Sequence, residues 1–185
     1  MMIFAVVPVL LAVAPLAALP ADSLYLVEDR YEDQTGKDVG LVDWRGQPVL
    51  LAMFYASCPQ ACPLLISDVK RVLAAVPPEE RAAIRVVLVT LDPERDTPAS
   101  LAQTMKSRGL EIPQWTLLRT NPIATRTLSA VLGVRYRDDV DGAIDHTSQI
   151  ALLDRQGRKV SVRGDIGAAV EGFAAAIVDV VRSKR

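Results

Sequence analysis

Val49-Leu50-Leu51-Ala52-Met53-Phe54-Tyr55, followed by Ala56-Ser57-Cys58-Pro59-Gln60-Ala61-Cys62-Pro63, is the stretch on which the fold turns. Seven apolar residues in a row, entered through Gly46-Gln47-Pro48, predict a strand buried on both faces. Beyond the cysteines, Leu65, Val69, Val72 and Val76 recur at spacings of four, three and four, one face of a helix that Pro77-Pro78 stops. Ile84 to Leu91 is a second, valine-rich apolar run. Strand, helix and strand make a βαβ unit, and its two strands should run parallel.

Working outward, Ser23 to Asp43 alternates weakly around Thr35-Gly36, which predicts a short hairpin. Thr97-Pro98 opens a second helix that Gly109 ends, and Asp96 together with Thr97 reads as its cap. Trp115 to Leu118 suits a short strand, and Asn121-Pro122 caps a third helix running to about Gly133. Gln149 to Asp154 and Lys159 to Val162 flank Gln156-Gly157 as an antiparallel hairpin. A last helix is expected from near Asp165, with Ile166, Val170, Phe173, Ile177 and Val181 on one face. The fold class is α/β: a thioredoxin-like sandwich over residues 22–185, with a mixed central sheet, flanking helices and an N-terminal hairpin.

The composition supports one packed domain. Half of the 185 residues are apolar, and 21 basic against 22 acidic residues leave a net charge of -1. No basic block exists, which argues against nucleic acid as the main partner. Arg182, Lys184 and Arg185 read as cations closing a helix C-terminus. Met1 to Ala21 is uncharged and apolar, interrupted by Pro8 and Pro15. It reads as a signal peptide or N-terminal anchor, with small residues near Leu19-Pro20-Ala21 suited to cleavage, although no Lys or Arg precedes it. The expectation is export, to the periplasm or the outer side of the cytoplasmic membrane. Export would place the cysteines in an oxidising compartment.

Cys58 and Cys62 are the only two cysteines, and His146 is the only histidine. The pair sits where the first buried strand feeds its helix, the edge at which open α/β sheets bind ligands. Pro63 fits a first helical position, so Cys62 is expected as the cap and Cys58 in the turn before it. The helix N-terminus would favour thiolate. Three intervening residues permit a disulfide, and the same turn would aim both sulfurs at one soft metal ion such as Cu(I) or Zn. Two buried structural cysteines are the plain alternative. His146, in Asp145-His146-Thr147-Ser148 ahead of a strand, is by itself more often a structural residue. Two thiolates and one imidazole complete a three-coordinate Cu(I) site, whereas structural zinc takes four protein ligands. Spacing does not bring His146 to the cysteines, because it lies 84 positions beyond Cys62.

Three segments together resemble the Sco/SenC family of copper chaperones: Cys58-Pro59-Gln60-Ala61-Cys62-Pro63, Leu91-Asp92-Pro93-Glu94-Arg95-Asp96-Thr97-Pro98, and Asp145-His146-Thr147 leading into Ile150-Ala151-Leu152-Leu153-Asp154. The resemblance runs from about Ser23 to Gly157. It implies a thioredoxin fold in which Cys58, Cys62 and His146 bind copper. It also implies a role in assembling the copper A centre of cytochrome c oxidase, with thiol-disulfide reductase activity in some members. Gln60 stands where members often carry an acidic residue, and Gln47 where a lysine is usual.

Around these residues, Asp92 either faces the site or pairs with Arg95, and Asp145 is a candidate to orient His146. The leading expectation is a metallochaperone with a copper-enzyme subunit as client and a periplasmic thiol reductant as partner. The runner-up is a thiol-disulfide reductase acting on a client's copper-ligand cysteines. A peroxiredoxin or glutathione-peroxidase relative is a third reading, against which the C-x3-C spacing and the distal histidine weigh.

Overall fold

A computed structural model describes residues 18–56, 61–138 and 144–183, with the backbone alone at 61, 62 and 138. The apolar run becomes β3, Val49–Phe54, and all six of its residues are buried. It follows an N-terminal hairpin, β1 (Arg30–Asp33) and β2 (Asp38–Gly40), which turns at Gly36. Helix α1 spans Ala61–Ala75, and a short α2, Pro78–Ala82, follows the stop at Pro77. Then comes β4, Arg85–Thr90, paired in parallel with β3 from Val49↔Arg85 to Phe54↔Thr90. This is the βαβ unit the sequence predicts.

The chain continues through α3 (Pro98–Arg108), β5 (Trp115–Arg119) and α4 (Pro122–Leu132). Thr97 and Asn121 accept hydrogen bonds from Ser100 N–H and Ala124 N–H, and Gly109 and Gly133 end the helices with left-handed backbone. Two short strands, β6 (Tyr136–Asp138) and β7 (Ile144–His146), pair with each other in a separate ribbon. Strands β8 (Ile150–Leu153) and β9 (Lys159–Arg163) and helix α5 (Glu171–Arg182) complete the chain.

The main sheet has the order β2-β1-β5-β4-β3-β8-β9. Strands β3, β4 and β5 are parallel, while β1 and β8 run antiparallel to their neighbours. Helix α1 packs against α5, and α3 packs against β5 and β1. A central strand buried at every residue needs cover on both faces, which gives the three-layer α/β sandwich. Gly157, at φ +80°, closes the β8–β9 turn against Tyr25; a Cβ there would lie 2.6 Å from the tyrosine ring.

Two expectations about the helices need correction. Helix α1 starts at Ala61, so the backbone of Cys62 lies in its first turn instead of capping it. Helix α5 starts at Glu171, not near Asp165. Ile166 and Val170 do pack against the core, but Gly167 at φ +91° breaks any helix through them.

That irregular segment is tied down by Asp68 of α1. Its carboxylate accepts hydrogen bonds from Arg163 (2.6 and 3.2 Å), Gly167 N–H (3.0 Å) and Arg71 (3.0 Å). Arg163 also donates to the carbonyls of Ala168 and Ala169. The Asp68 and Arg163 side chains are 1% and 7% exposed. Burial alone would raise the Asp68 pKa, but the Arg163 and Gly167 hydrogen bonds and the charges of Arg163 and Arg71 hold it below the usual carboxylate range.

Arg182, expected to close the last helix, reaches from α5 to Glu80 of α2 at 2.6 Å. The proposed leader, Met1 to Ala21, falls mostly outside the described residues, while Leu19 packs against the core. Among the described residues, no helix is long and apolar enough to cross a membrane.

Candidate functional site

The C-terminal ends of β3 and β4 define one edge of the sheet. Pairing continues past the strands, with Leu91 N–H donating to the Phe54 carbonyl at 2.6 Å. Tyr55 and Ala56 then lead toward the cysteine segment. Cys58 lies outside the described residues, and the backbone of Cys62 occupies the first turn of α1. That turn is where a helix favours negative charge.

His146 reaches the same edge through topology. Strand β8 runs antiparallel to β3, with Ala52↔Ile150 as the last registered pair, so the segment entering β8 lies beside the end of β3. His146 stands four residues before Ile150, and its ring meets Tyr55 edge to face, with centroids 5.7 Å apart and planes at 74°. Tyr55 is three residues from Cys58. The fold thus brings the lone histidine alongside the chain that enters the cysteine pair, a placement that sequence spacing does not give.

The base of the β6–β7 ribbon holds the histidine. Tyr136 is registered against His146. Thr147 N–H donates to the Arg135 carbonyl (2.9 Å), and Arg135 N–H donates to the Thr147 hydroxyl (3.0 Å). The clasp fixes the Thr147 carbonyl, which lies 3.3 Å from His146 Nδ1. A carbonyl only accepts, so this contact suits the tautomer with its proton on Nδ1, whose free lone pair is on Nε2. That Nε2 is buried and has no hydrogen-bond partner among the described residues. An imidazole held through Nδ1 by a backbone carbonyl, with Nε2 left bare, is the usual arrangement of a metal-ligating histidine. A cavity of about 390 Å³ opens beside it, lined by Arg135, Tyr136, Arg137, Asp145, His146 and Thr147.

Asp145 does not orient the histidine; it pairs with Arg137 at 3.2 Å on the surface. Asp92 pairs with Arg95, the plainer of its two readings. Asp96 differs from its expected role. Thr97 alone caps α3, and the Asp96 carboxylate turns back to accept from Ala56 N–H (2.9 Å) and from the Thr90 hydroxyl. Burial pushes its pKa up against the hydrogen bonds from Thr90 and Ala56, and the nearby Asp92 charge adds to the rise. The sequence signal for this was a spare carboxylate: Asp-Thr-Pro offers two caps to a helix that uses one.

The fold and its edge define a thioredoxin-like protein that presents an imidazole beside a strand-to-helix cysteine segment. Residues 27–181 match the SCO1/SenC family, and the chain belongs to it. A Stutzerimonas stutzeri protein named as copper-binding is 27% identical over 143 residues, covering 75% of this chain and 67% of that protein. The SCO2-like protein RP587 of Rickettsia prowazekii is 28% identical over 132 residues, covering 68% and 62% respectively. The chain therefore spans about two thirds of these curated relatives. Among solved structures, copper-bound ScoI of Bradyrhizobium japonicum is similar, at 29% identity and a TM-score of 0.68 over 82% of this chain and 96% of that one.

Proposed function

We propose that the protein is an exported copper metallochaperone that binds one copper ion through Cys58, Cys62 and His146. Its client is a copper enzyme such as the copper A site of cytochrome c oxidase. The observation that carries this reading is the buried, unpartnered Nε2 of His146, with Nδ1 directed at a carbonyl, beside the chain entering the cysteine pair. A polar atom buried without a partner costs about 1–3 kcal/mol, a cost that a coordination bond removes. Two thiolates and an imidazole suit Cu(I), and a family relative at 29% identity is known with copper bound.

The alternative is a thiol-disulfide reductase that keeps a client's copper-ligand cysteines reduced. The same dithiol serves it, but dithiol exchange gives His146 no necessary part, and so the bare Nε2 favours the chaperone. A disulfide offers copper no thiolate, so a thiol reductant outside the cytoplasm is a required partner. The apolar Met1 to Ala21 supports export, by cleavage or as a retained anchor.

Titration of the protein with Cu(I) against a competing chelator tests the reading. The reduced protein takes up one equivalent and the disulfide form takes up none. Equal uptake by the two forms would overturn it.

A further inference from the structure

Asp96 lies 2% exposed between three elements and serves none of the ordinary purposes of a buried carboxylate. It caps no helix, since Thr97 does that, and it is not the partner of Arg95, which pairs with Asp92. It instead closes a chain of hydrogen bonds across the cysteine edge of the sheet. Asp92 N–H donates to the Thr90 hydroxyl at 3.0 Å, the hydroxyl donates to Asp96 Oδ2, and the same oxygen accepts Ala56 N–H at 2.9 Å. Asp96 N–H returns to the Asp92 carbonyl at 2.9 Å and fixes the turn that carries the carboxylate. Ala56 is 40 residues away in sequence and two residues before Cys58.

We propose that Asp96 is a positioning residue for the dithiol: it accepts the Ala56 N–H and so sets the backbone from which the cysteine segment departs, while Thr90 holds the carboxylate in that pose. The inference rests on Cys58 and Cys62 being the reactive pair. A lone backbone N–H at a strand end is satisfied as well by water, without burying a carboxylate. Here the acceptor comes from the segment between β4 and α3 and is itself oriented by a second side chain. The arrangement is that of an outer support, which orients the groups that react without touching what they bind.

Four variants test it: Asp96→Leu, which removes the acceptor at similar size; Asp96→Asn, which keeps an acceptor oxygen; Thr90→Val; and Asp68→Asn, a destabilising change in a different hydrogen-bond network. Two quantities are read on folded protein: the Cys58–Cys62 dithiol–disulfide equilibrium against dithiothreitol, and Cu(I) affinity by chelator competition. Asp96→Leu is expected to lower Cu(I) affinity by about 10–100-fold and to shift the dithiol equilibrium about tenfold. Asp96→Asn should stay within about threefold of the parent in both, and Thr90→Val should move the same way as Asp96→Leu by less. Asp68→Asn should lower stability and leave the dithiol equilibrium alone. Folded Asp96→Leu with the parent's dithiol equilibrium, or Asp96→Asn as impaired as Asp96→Leu, overturns the proposal. If Asp96→Leu does not fold, Thr90→Val decides: a shift supports the role and a parent-like equilibrium refutes it. A parent that binds no copper removes the chaperone reading, and the dithiol arm still decides Asp96.

Discussion

Asp68, within α1, and Asp96, in the turn before α3, are both buried aspartates, and their surroundings are opposite. Asp68 has Arg163, Arg71 and the Gly167 N–H around its two oxygens, and is held ionised. Asp96 has one N–H, one hydroxyl and a neighbouring negative charge, and burial pushes it toward the protonated form. The first network is closed and ties α1 to the segment before α5. The second sits at an edge where polar groups are left underfilled, and the bare Nε2 of His146 belongs to the same edge. Tyr31 Oη, Arg119 Nε and Thr125 Oγ1 are also buried without partners among the described residues, so it is the position of the His146 nitrogen beside the chain entering the cysteine pair that gives its bare atom meaning.

The largest effect that would break this contrast is expected at Asp68. Asp68→Ala leaves Arg163 buried and unpaired, so stability should fall by about 3–5 kcal/mol in urea unfolding. Cu(I) affinity of the folded fraction should not change. A loss below about 1 kcal/mol would make Asp68 no different from a surface pair.

His146→Ala should give the reverse pattern. Cu(I) affinity is expected to fall by more than 100-fold, beyond the ~10–100-fold of changes that act only through another residue. Stability should stay within about 1 kcal/mol of the parent's, because the lost Tyr55 ring contact and Nδ1–carbonyl contact are offset by removing a buried nitrogen that had no partner among the described residues. Dithiol exchange should also be unaltered, since it follows thiolate character and access. Unchanged copper affinity would move the reductase reading to first place.

Acid titration sharpens the comparison with a smaller effect of opposite sign at the two sites. The depressed Asp68 pKa contributes stability that is complete above the unfolded carboxylate value of ~3.9 and is lost as pH falls through the folded one. The raised Asp96 pKa contributes stability below that unfolded value, lost as pH rises through the folded one. Asp68→Asn should therefore flatten acid unfolding, while Asp96→Asn should gain on the parent as pH rises from ~4 toward neutrality. Parallel stability–pH curves for the two variants would contradict this.

The least effect is expected for Arg30→Ala. Arg30 and Asp38 pair at 2.7 Å across the β1–β2 hairpin with side chains 55% and 68% exposed. The loss should be at most ~1 kcal/mol and should shrink in salt. A larger loss would mean that exposure does not separate strong from weak ion pairs here.

How much of this was legible in the sequence follows from how local each signal is. The βαβ unit was readable because Val49–Phe54 and Arg85–Thr90 are apolar enough to be buried on both faces. Caps at Thr97 and Asn121 were readable because a cap needs only its own next three residues. The β6–β7 ribbon was not, since Tyr136–Asp138 and Ile144–His146 are short and carry no apolar period. The start of α5 was misplaced because Ile166 and Val170 are spaced like a helix face, while Gly167 and its bond to Asp68 are tertiary facts. In the site, the residue types were legible and the meeting was not. His146 nears the chain before Cys58 only because β8 runs antiparallel to β3, and Asp96 turns from its helix because Ala56 and Thr90 are there to receive it.

The antiparallel return of β8 beside β3 also imposes an order on the making of this protein. Synthesis runs from the N-terminus, so both thiols exist before the imidazole, which follows Cys62 by 84 positions. The β3–β4 pairing is complete in sequence by Thr90, whereas the β3–β8 pairing that places His146 waits for Ile150 and closes one of the longest loops in the chain. If Cys58, Cys62 and His146 are the donors proposed above, a growing chain offers a bare dithiol, able to oxidise or to capture metal in two-coordinate form, before the imidazole has been made. Three-coordinate copper uptake would then report on the finished fold, and the interval between Cys62 and His146 sets how long the thiols wait.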